Sequence, residues 1–288
     1  MRTLVIRFSS LGDIVLSGAV TQALGDVEYL TLARYAELAA ALPGVSRVWE
    51  WETSGRQATR GFDRIIDLHN SPRSRWATAL RPGPIRRVKR YDWERRSRVL
   101  FKSPPAPPVI DRYADAAGVQ AAASPWMPQA RGDALLLIPF AAHPAKEWPV
   151  ERYAEVGRAW AGTVVLLGGP EDAAALHNLA AAIGPLTEVV AESGFVNTLT
   201  AVNRAGAAVG GDTGLTHLAA ASGIKTVGIF GPTTAQDGFW SHGVEAVEEA
   251  LPCRPCSRHG EQPCRVPGRP CMNQISVSAV LERLGCAS

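Results

Sequence analysis

The feature that most constrains this chain is a repeated alternation of short β-branched runs with stretches of helical spacing. TLVIRF (3–8) has the composition of a buried strand, a turn follows at 9–13, and helical spacing covers 14–24. VEYLTL (27–32) and RIIDL (64–68) continue the pattern. Successive strand–helix–strand units form a parallel sheet with right-handed crossovers. The sequence therefore predicts an α/β fold.

The alternation occurs twice. SPPAPP (103–108) and a proline- and glycine-bearing segment (124–133) interrupt it, and ALLLIP (134–139) begins it again. We place the domain boundary in the second break, which gives domains 1–130 and 131–288. A chain of 288 residues is long enough for two domains. Doubly wound sheets bind ligands beyond the carboxyl ends of their strands, so we expect the ligand in a cleft between two facing domains.

Composition excludes several classes of protein. The chain is 46% hydrophobic and 20% charged, which is typical of a globular protein rather than a disordered one. No apolar run reaches the ~18 residues of a membrane-spanning helix. The first apolar run is broken at Arg7, so we predict no signal peptide and a cytoplasmic protein. The net charge of +3 is too small to indicate nucleic acid by itself.

The charge is unevenly distributed. Residues 81–102 hold seven Arg and two Lys against one Asp and one Glu, and Arg86, Arg87, Lys89 and Arg90 form the densest run. This segment is either an ordinary solvated surface or a docking surface for phosphates, carboxylates or lipid headgroups. Tyr91 and Trp93 lie among the charges, as amphipathic side chains do at membrane surfaces.

Two strand–helix turns carry candidate functional residues. Gly12 and Asp13 follow the first strand, where Asp13 is either a helix N-cap or a general base. GGDTG (210–214) follows a later strand and opens a helix, a position at which backbone N–H groups bind phosphate. His217, one turn into that helix, either donates to a phosphate oxygen or is a buried histidine bonded to a carbonyl group.

Two further charged residues in the second half of the chain lie at the ends of predicted elements. Lys146, just before a predicted helix that has Pro149 in its first turn, either reaches an anionic ligand or is a solvated loop lysine. Glu171, at the carboxyl end of the strand TVVLLGG (163–169), either accepts hydrogen bonds from a ribose or base or is a charge in a first helical turn.

Four of the five cysteines are clustered with the spacing C-x2-C-x7-C-x6-C. They are Cys253, Cys256, Cys264 and Cys271, and Cys286 stands apart. The cluster is a candidate structural zinc site, with His259 as a substitute ligand. Reduced thiols, disulfides and an iron–sulfur cluster are the alternatives.

Six segments together resemble glycosyltransferase family 9, the ADP-heptose:lipopolysaccharide heptosyltransferases and their relatives. They recur in the family's order and span most of the chain: RFSSLGDIVLSGAV (7–20), DLHNSPRS (67–74), KEWPVERYAEV (146–156), LLGGPED (166–172), GGDTGLTHLAAASGIKTVGIFGPTT (210–234) and the cysteine segment 253–272.

The resemblance implies a GT-B fold, two facing Rossmann-like domains with parallel sheets and an interdomain cleft. Domain 1–130 would bind the acceptor and domain 131–288 the sugar nucleotide. The implied activity is inverting transfer of a heptose from ADP-heptose to a lipopolysaccharide-core acceptor, with no catalytic metal. Asp13 would be the general base. The donor would be held by these residues: Lys146, Glu171, Asp212, Thr213, Gly214 and His217.

The sequence is also compatible with other functions. The chain could transfer another sugar to a different acceptor, or bind a sugar nucleotide without catalysis. A zinc-stabilised nucleic-acid-binding protein would need a recognition helix or an aromatic RNA-binding face, and the sequence shows neither. The expected partners are thus a nucleoside-diphosphate sugar and an anionic glycolipid at the inner face of the cytoplasmic membrane, with no nucleic acid.

Overall fold

The computed structural model describes residues 1–79, 81, 83–123, 125–127, 132–191, 194–236 and 243–286. The chain forms two compact units. Unit 1 comprises Met1–Tyr91 and Pro107–Met127, and unit 2 comprises 92–106 and 128–288. The boundary expected at 130/131 lies outside the described residues. The segment 92–106 belongs to unit 2, although the division at 130/131 assigns it to the first domain.

Unit 1 is built on one parallel sheet of five strands. In chain order the strands are β1 (Thr3–Ile6), β2 (Val27–Thr31), β3 (Val45–Glu50), β4 (Arg64–Asp67) and β5 (Ile85–Arg87). Its helices are α1 (Leu11–Leu24), α2 (Ala36–Ala40), α3 (Trp51–Ser54), α4 (Pro72–Ala77) and α6 (Val109–Ala117). Helix α6 follows the segment 92–106, which belongs to unit 2. The order across the sheet is β3-β2-β1-β4-β5.

Unit 2 repeats this plan with six parallel strands. They are β6 (Ala134–Ile138), β7 (Val164–Leu167), β8 (Thr187–Val190), β9 (Ala205–Gly211), β10 (Lys225–Phe230) and β11 (Val244–Glu248). Its helices are α5 (Asp92–Phe101), α7 (Val150–Ala159), α8 (Ala173–Ile183), α9 (Phe195–Asn203), α10 (Gly214–Ala221), α11 (Pro270–Asn273) and α12 (Val277–Leu284). The order across the sheet is β11-β10-β9-β6-β7-β8.

These strand orders confirm the predicted α/β class and identify where each unit can bind a ligand. β1 and β6 are buried along their whole length, because helices cover both faces of a parallel sheet. After β1 and after β6, the next strands are added on one side of the sheet, and the later strands are added on the other side. The direction therefore switches between β1 and β4 in unit 1 and between β6 and β9 in unit 2. Ligands of doubly wound sheets bind at this switch point.

Local signals in the sequence explain how several helices begin. Ser276 caps α12, with its hydroxyl accepting from the Ala279 N–H at 3.2 Å. Pro149 is the N-cap of α7 rather than a residue of its first turn. Its missing N–H costs nothing at this position, because the first N–H groups of a helix have no partner within the helix. Within the described residues, no helix is both long and apolar enough to cross a bilayer.

Candidate active sites of the two units

The switch point of unit 2 brings together three of the predicted site residues. Lys146 follows β6 in a short 3₁₀ turn, Asp212 follows β9, and His217 lies one turn into α10. The Lys146 ammonium group is 2.6 Å from Asp212 Oδ2 and also donates to the Asp212 carbonyl oxygen at 3.2 Å. The His217 Nε2 atom is 3.7 Å from Asp212 Oδ1. Lys146 is mostly buried and ion-paired, so it is not a solvated loop lysine.

Asp212 is the centre of this cluster. Its carboxylate also accepts a hydrogen bond from the Thr233 hydroxyl at 2.8 Å, and both Asp212 and His217 are buried. Burial alone would raise the pKa of Asp212. The neighbouring imidazole of His217 and the charge of Lys146 outweigh burial and hold the Asp212 pKa well below its usual range. Asp212 is therefore ionised and orients Lys146 and His217.

Thr213 and Gly214 form the start of α10 beside this cluster. Thr213 is the N-cap, and its hydroxyl accepts from the Thr216 N–H at 3.4 Å. Strand β9 passes close to this start of α10. A Cβ atom at Gly210 would lie 2.4 Å from Thr216 Oγ1 and 2.9 Å from Ile138 Cβ. Only glycine fits this approach of β9 to its neighbours. The helix N-terminus thus opens at the switch point, where its dipole favours an anion.

Glu171 stands apart from these residues. It lies in the 3₁₀ turn Pro170–Asp172 after β7, one strand away from the switch point, and its side chain is exposed. No hydrogen bond or ion pair joins Glu171 to Lys146, Asp212 or His217 in the part of the chain that the structure describes. Its predicted contact with a ribose or base remains a prediction.

The cysteine-rich segment (253–271) packs on Lys146. Gly260 adopts a φ of +84°, and a Cβ atom there would lie 2.8 Å from both Lys146 Cγ and Cε. Glu261 holds this turn by accepting from the Ser257 hydroxyl at 2.5 Å and from the His259 N–H at 2.8 Å. Arg269 donates to the Pro144 carbonyl oxygen at 2.8 Å. The segment therefore fixes the path of the lysine side chain.

The predicted zinc ligands are not assembled in this structure. Among the described residues, which include all five cysteines, no group of three or more His, Cys, Asp or Glu side chains could hold a metal ion. Beyond the larger effect of burial, the clustered thiols lie near enough to raise one another's pKa, but their environments differ. Cys271 is buried beside Met272 in the core of unit 2, whereas Cys264 is exposed and donates to the Val266 carbonyl oxygen at 3.2 Å. His259 bonds to Arg95 instead.

Asp13 marks the switch point of unit 1. It is the third residue of α1, and Ser10, not Asp13, is the N-cap. The Asp13 carboxylate nevertheless accepts from the Ser10 N–H at 3.3 Å, as in a capping box, and also from the Ser10 hydroxyl at 2.8 Å. Arg7 lies 2.5 Å from the same oxygen, and the Tyr113 hydroxyl donates to Oδ1 at 3.1 Å. The capping prediction was therefore wrong in position.

The environment of Asp13 determines its charge. Burial would raise the pKa of this carboxyl group, but Arg7 and the hydrogen bonds from Ser10 and Tyr113 lower it below its ordinary value. Asp13 is consequently a carboxylate at neutral pH. A carboxylate that is ionised at neutral pH and held in the first turn of α1, next to a central strand, can accept a hydrogen bond or a proton from a ligand hydroxyl group.

The sequence interpretation missed three residues around Asp13. Arg7 and His69 lie inside the matched segments 7–20 and 67–74, where no role was assigned to them, and Tyr113 lies outside every motif. His69 follows β4, packs edge-on against Phe8, and has no hydrogen-bond partner for Nδ1 among the described residues. Burial first, and then the charge of Arg7, lowers the pKa of His69 to about 4. His69 is thus neutral at physiological pH.

The basic segment 81–102 is divided between the two units. Its first part lies in unit 1, where Arg87 is 3.5 Å from the buried Asp67 and donates to the Thr78 hydroxyl at 2.9 Å. Arg90 donates to the Asn70 carbonyl oxygen at 3.4 Å. Its second part, from residue 92 onward, lies in unit 2. Several of its arginines are therefore structural.

Two doubly wound units with parallel sheets are the architecture of the GT-B fold. The model of glycosyltransferase family 9 (heptosyltransferase) matches residues 105–264. That match covers more than half of the chain, so the chain belongs to this family and is a glycosyltransferase. No curated protein sequence is similar enough to match it.

Solved structures support the fold. The E. coli heptosyltransferase WaaC with ADP is similar with a TM-score of 0.73 and 20% identity, over 100% of both chains. The E. coli ADP-heptose lipopolysaccharide heptosyltransferase II is similar with a TM-score of 0.72 and 20% identity, over 99% of this chain and 98% of that one. The iron-containing dodecameric glycosyltransferase TibC from enterotoxigenic E. coli has a TM-score of 0.62 and 15% identity, over 98% of this chain and 74% of that one.

Proposed function

We propose that this protein transfers a heptose, with inversion, from ADP-heptose to an anionic glycolipid of the lipopolysaccharide-core type. Unit 2 would bind the donor, and unit 1 would bind the acceptor. The reaction would take place at the inner face of the cytoplasmic membrane and would need no metal ion. The proposal rests on the family, on the ADP and ADP-heptose analogue named for the WaaC structures, and on the two charged clusters.

The observation that carries the donor assignment is the cluster of Lys146, Asp212 and His217 beside the N-terminus of α10. When the bond from the anomeric carbon to the phosphate oxygen breaks, negative charge accumulates on the nucleoside diphosphate. A buried ammonium group, a histidine and a helix N-terminus are suited to stabilise that charge without a metal. Lys146 has three N–H donors, so its contacts with Asp212 leave capacity for a phosphate oxygen.

The acceptor hydroxyl must lose its proton as it attacks the anomeric carbon from the face opposite the leaving group. The new C–O bond forms, the nucleoside diphosphate leaves with its electron pair, and the proton passes to a base. Asp13 is our candidate for that base, because it is an ionised carboxylate held in place by Arg7, Ser10 and Tyr113. Attack from the opposite face inverts the anomeric centre.

Thermal stabilisation by a panel of nucleotides and sugar nucleotides tests the donor assignment. We expect ADP and ADP-heptose to raise the melting temperature more than UDP or GDP compounds, because a ligand that binds only the folded state stabilises it. In Lys146→Met the shift should fall strongly. An equal response to all nucleotides, or an unchanged shift in Lys146→Met, would refute the assignment.

A transfer assay distinguishes the enzyme from a binding protein. Incubating the protein with ADP-heptose and a lipopolysaccharide-core acceptor should release ADP and give a product of inverted anomeric configuration, with or without EDTA. ADP-heptose binding without ADP release would favour the non-catalytic alternative. Transfer from another sugar nucleotide alone would favour the other-sugar alternative.

A further inference from the structure

Helix α5 is oriented with its apolar side chains toward solvent. Trp93, Leu100 and Phe101 are 73%, 70% and 73% exposed. Trp93 and Leu100 are seven residues apart and Phe101 eight, so the three lie along one side of the helix. Arg96 is exposed beside them. This arrangement is opposite to that of an ordinary surface helix, whose apolar stripe faces the core.

Polar contacts on the inner side hold the helix in this orientation. Lys102 donates to the carbonyl oxygens of Cys253 and Pro255 at 3.0 and 2.7 Å. Arg95 is 3.4 Å from the His259 Nε2 atom, and Arg258 is 3.5 Å from Asp92. The cysteine-rich segment of the same unit therefore binds the polar side of α5. The outward direction of the apolar side chains is a consequence of these contacts.

The surroundings of the apolar side chains are cationic. The segment 92–106 contains four basic and two acidic residues. On the inner side of the helix, a small groove open to solvent is lined by Arg95, Arg98 and Arg258 with Ser257. Aromatic and aliphatic side chains with basic residues beside them match the chemistry of an anionic bilayer surface, where apolar groups enter the headgroup region and the charges meet lipid phosphates.

We propose that the outer face of α5 (Trp93, Arg96, Leu100 and Phe101) is a docking surface for an anionic lipid bilayer, on which the helix lies parallel to the membrane plane. This inference extends the membrane contact in the proposed function by naming the surface that makes it. It does not depend on sugar transfer, because vesicle binding can be measured without donor or acceptor.

Co-sedimentation with lipid vesicles tests this surface. The wild-type protein should sediment with phosphatidylglycerol–phosphatidylcholine vesicles at low salt and far less with phosphatidylcholine alone. In Leu100→Ser/Phe101→Ser we expect binding to fall about ten-fold or more, because less apolar area enters the interface. The matched control is Leu186→Ser/Val196→Ser, which removes two apolar side chains of unit 2 that are 63% and 65% exposed. The control should bind like the wild type.

A second variant tests the electrostatic part. Arg96→Gln should weaken binding about five-fold at low salt, and the difference should shrink as salt is added. The proposal fails if the double serine variant sediments like the wild type, or if the control loses binding equally. It also fails if the wild type binds no anionic vesicle, or if the double variant changes only the oligomeric state by light scattering, which would make this face an interface between two copies of the chain.

Discussion

Asp13 combines a structural and a chemical role at the scale of a single residue. It completes the capping box of α1 and is also the carboxylate at the switch point of unit 1. Loss of a capping interaction costs about 1 kcal/mol of stability. Loss of a general base costs about 10²–10⁴-fold in rate. One loss lowers the stability of the protein and the other lowers the reaction rate, so substitutions can separate the two roles.

We expect Asp13→Asn to lower kcat by at least 10²-fold while the affinity for ADP, measured by calorimetry, stays near wild type. The control is Ser276→Ala, which removes the N-cap hydroxyl of α12 and leaves Asp13 and its partners intact. That variant should lose stability and keep most of its turnover. Near-normal turnover in Asp13→Asn would leave Asp13 with its capping role alone.

The pH dependence of turnover tests the role of Arg7. Asp13 must be deprotonated to accept a proton, and its pKa lies below its ordinary value of about 3.8, so kcat/KM of the wild type should stay high down to about pH 4. Arg7→Gln removes the cation that offsets burial, so the Asp13 pKa should rise and the acid limb should move to higher pH. Arg2→Gln, which breaks an exposed ion pair with Glu28 in the same unit, is the control and should leave the profile unchanged. An unmoved acid limb in Arg7→Gln would exclude Asp13 as the titrating base.

At the scale of the element, the cysteine-rich segment is a support for Lys146. It contains little regular structure, and its contacts with the 3₁₀ turn that carries Lys146 come from Gly260 and Arg269. Residues outside the donor cluster therefore control where the ammonium group lies.

We expect Gly260→Ala to weaken ADP binding about ten-fold, since its Cβ would displace the Lys146 side chain from Asp212. Gly268→Ala in the same segment is a matched control, because Gly268 has a φ of +75° and no atom lies within 4 Å of the position that its Cβ would take. Both variants place a side chain on a left-handed backbone, which costs roughly 1–2 kcal/mol. Only Gly260→Ala should lose affinity in calorimetry. Equal affinities would show that the segment does not position Lys146.

At the scale of the whole molecule, the reactivity of the thiols tests whether the protein contains a bound metal ion. Burial raises the pKa of the Cys256 and Cys271 thiols, whereas Cys264 is exposed. A thiol-modifying disulfide reagent at pH 8 should therefore react with Cys264 first and with Cys271 last, with or without EDTA. Elemental analysis should find less than one metal ion per chain. Four thiols that react only after chelation, with zinc or iron in the preparation, would restore the metal site.

The sequence alone determined the local elements and the class of fold. Unbroken apolar runs such as 134–139 predict central strands, because a strand covered on both faces needs no polar alternation. The strand–helix alternation then requires parallel sheets with right-handed crossovers. The helix starts at Ser276 and Thr213 follow from side chains that cap their own backbone, which is a local interaction.

The tertiary structure decided how residues distant in sequence meet. Asp13 and Tyr113 are 100 residues apart, and Lys146 and Asp212 are 66 apart, yet each pair is joined by a hydrogen bond. Such pairs arise from strand order, which places β1 beside β4 and β6 beside β9, and no local pattern encodes that order. The same reason explains α5: its outward apolar face and its place in unit 2 depend on contacts with a segment about 150 residues further along the chain.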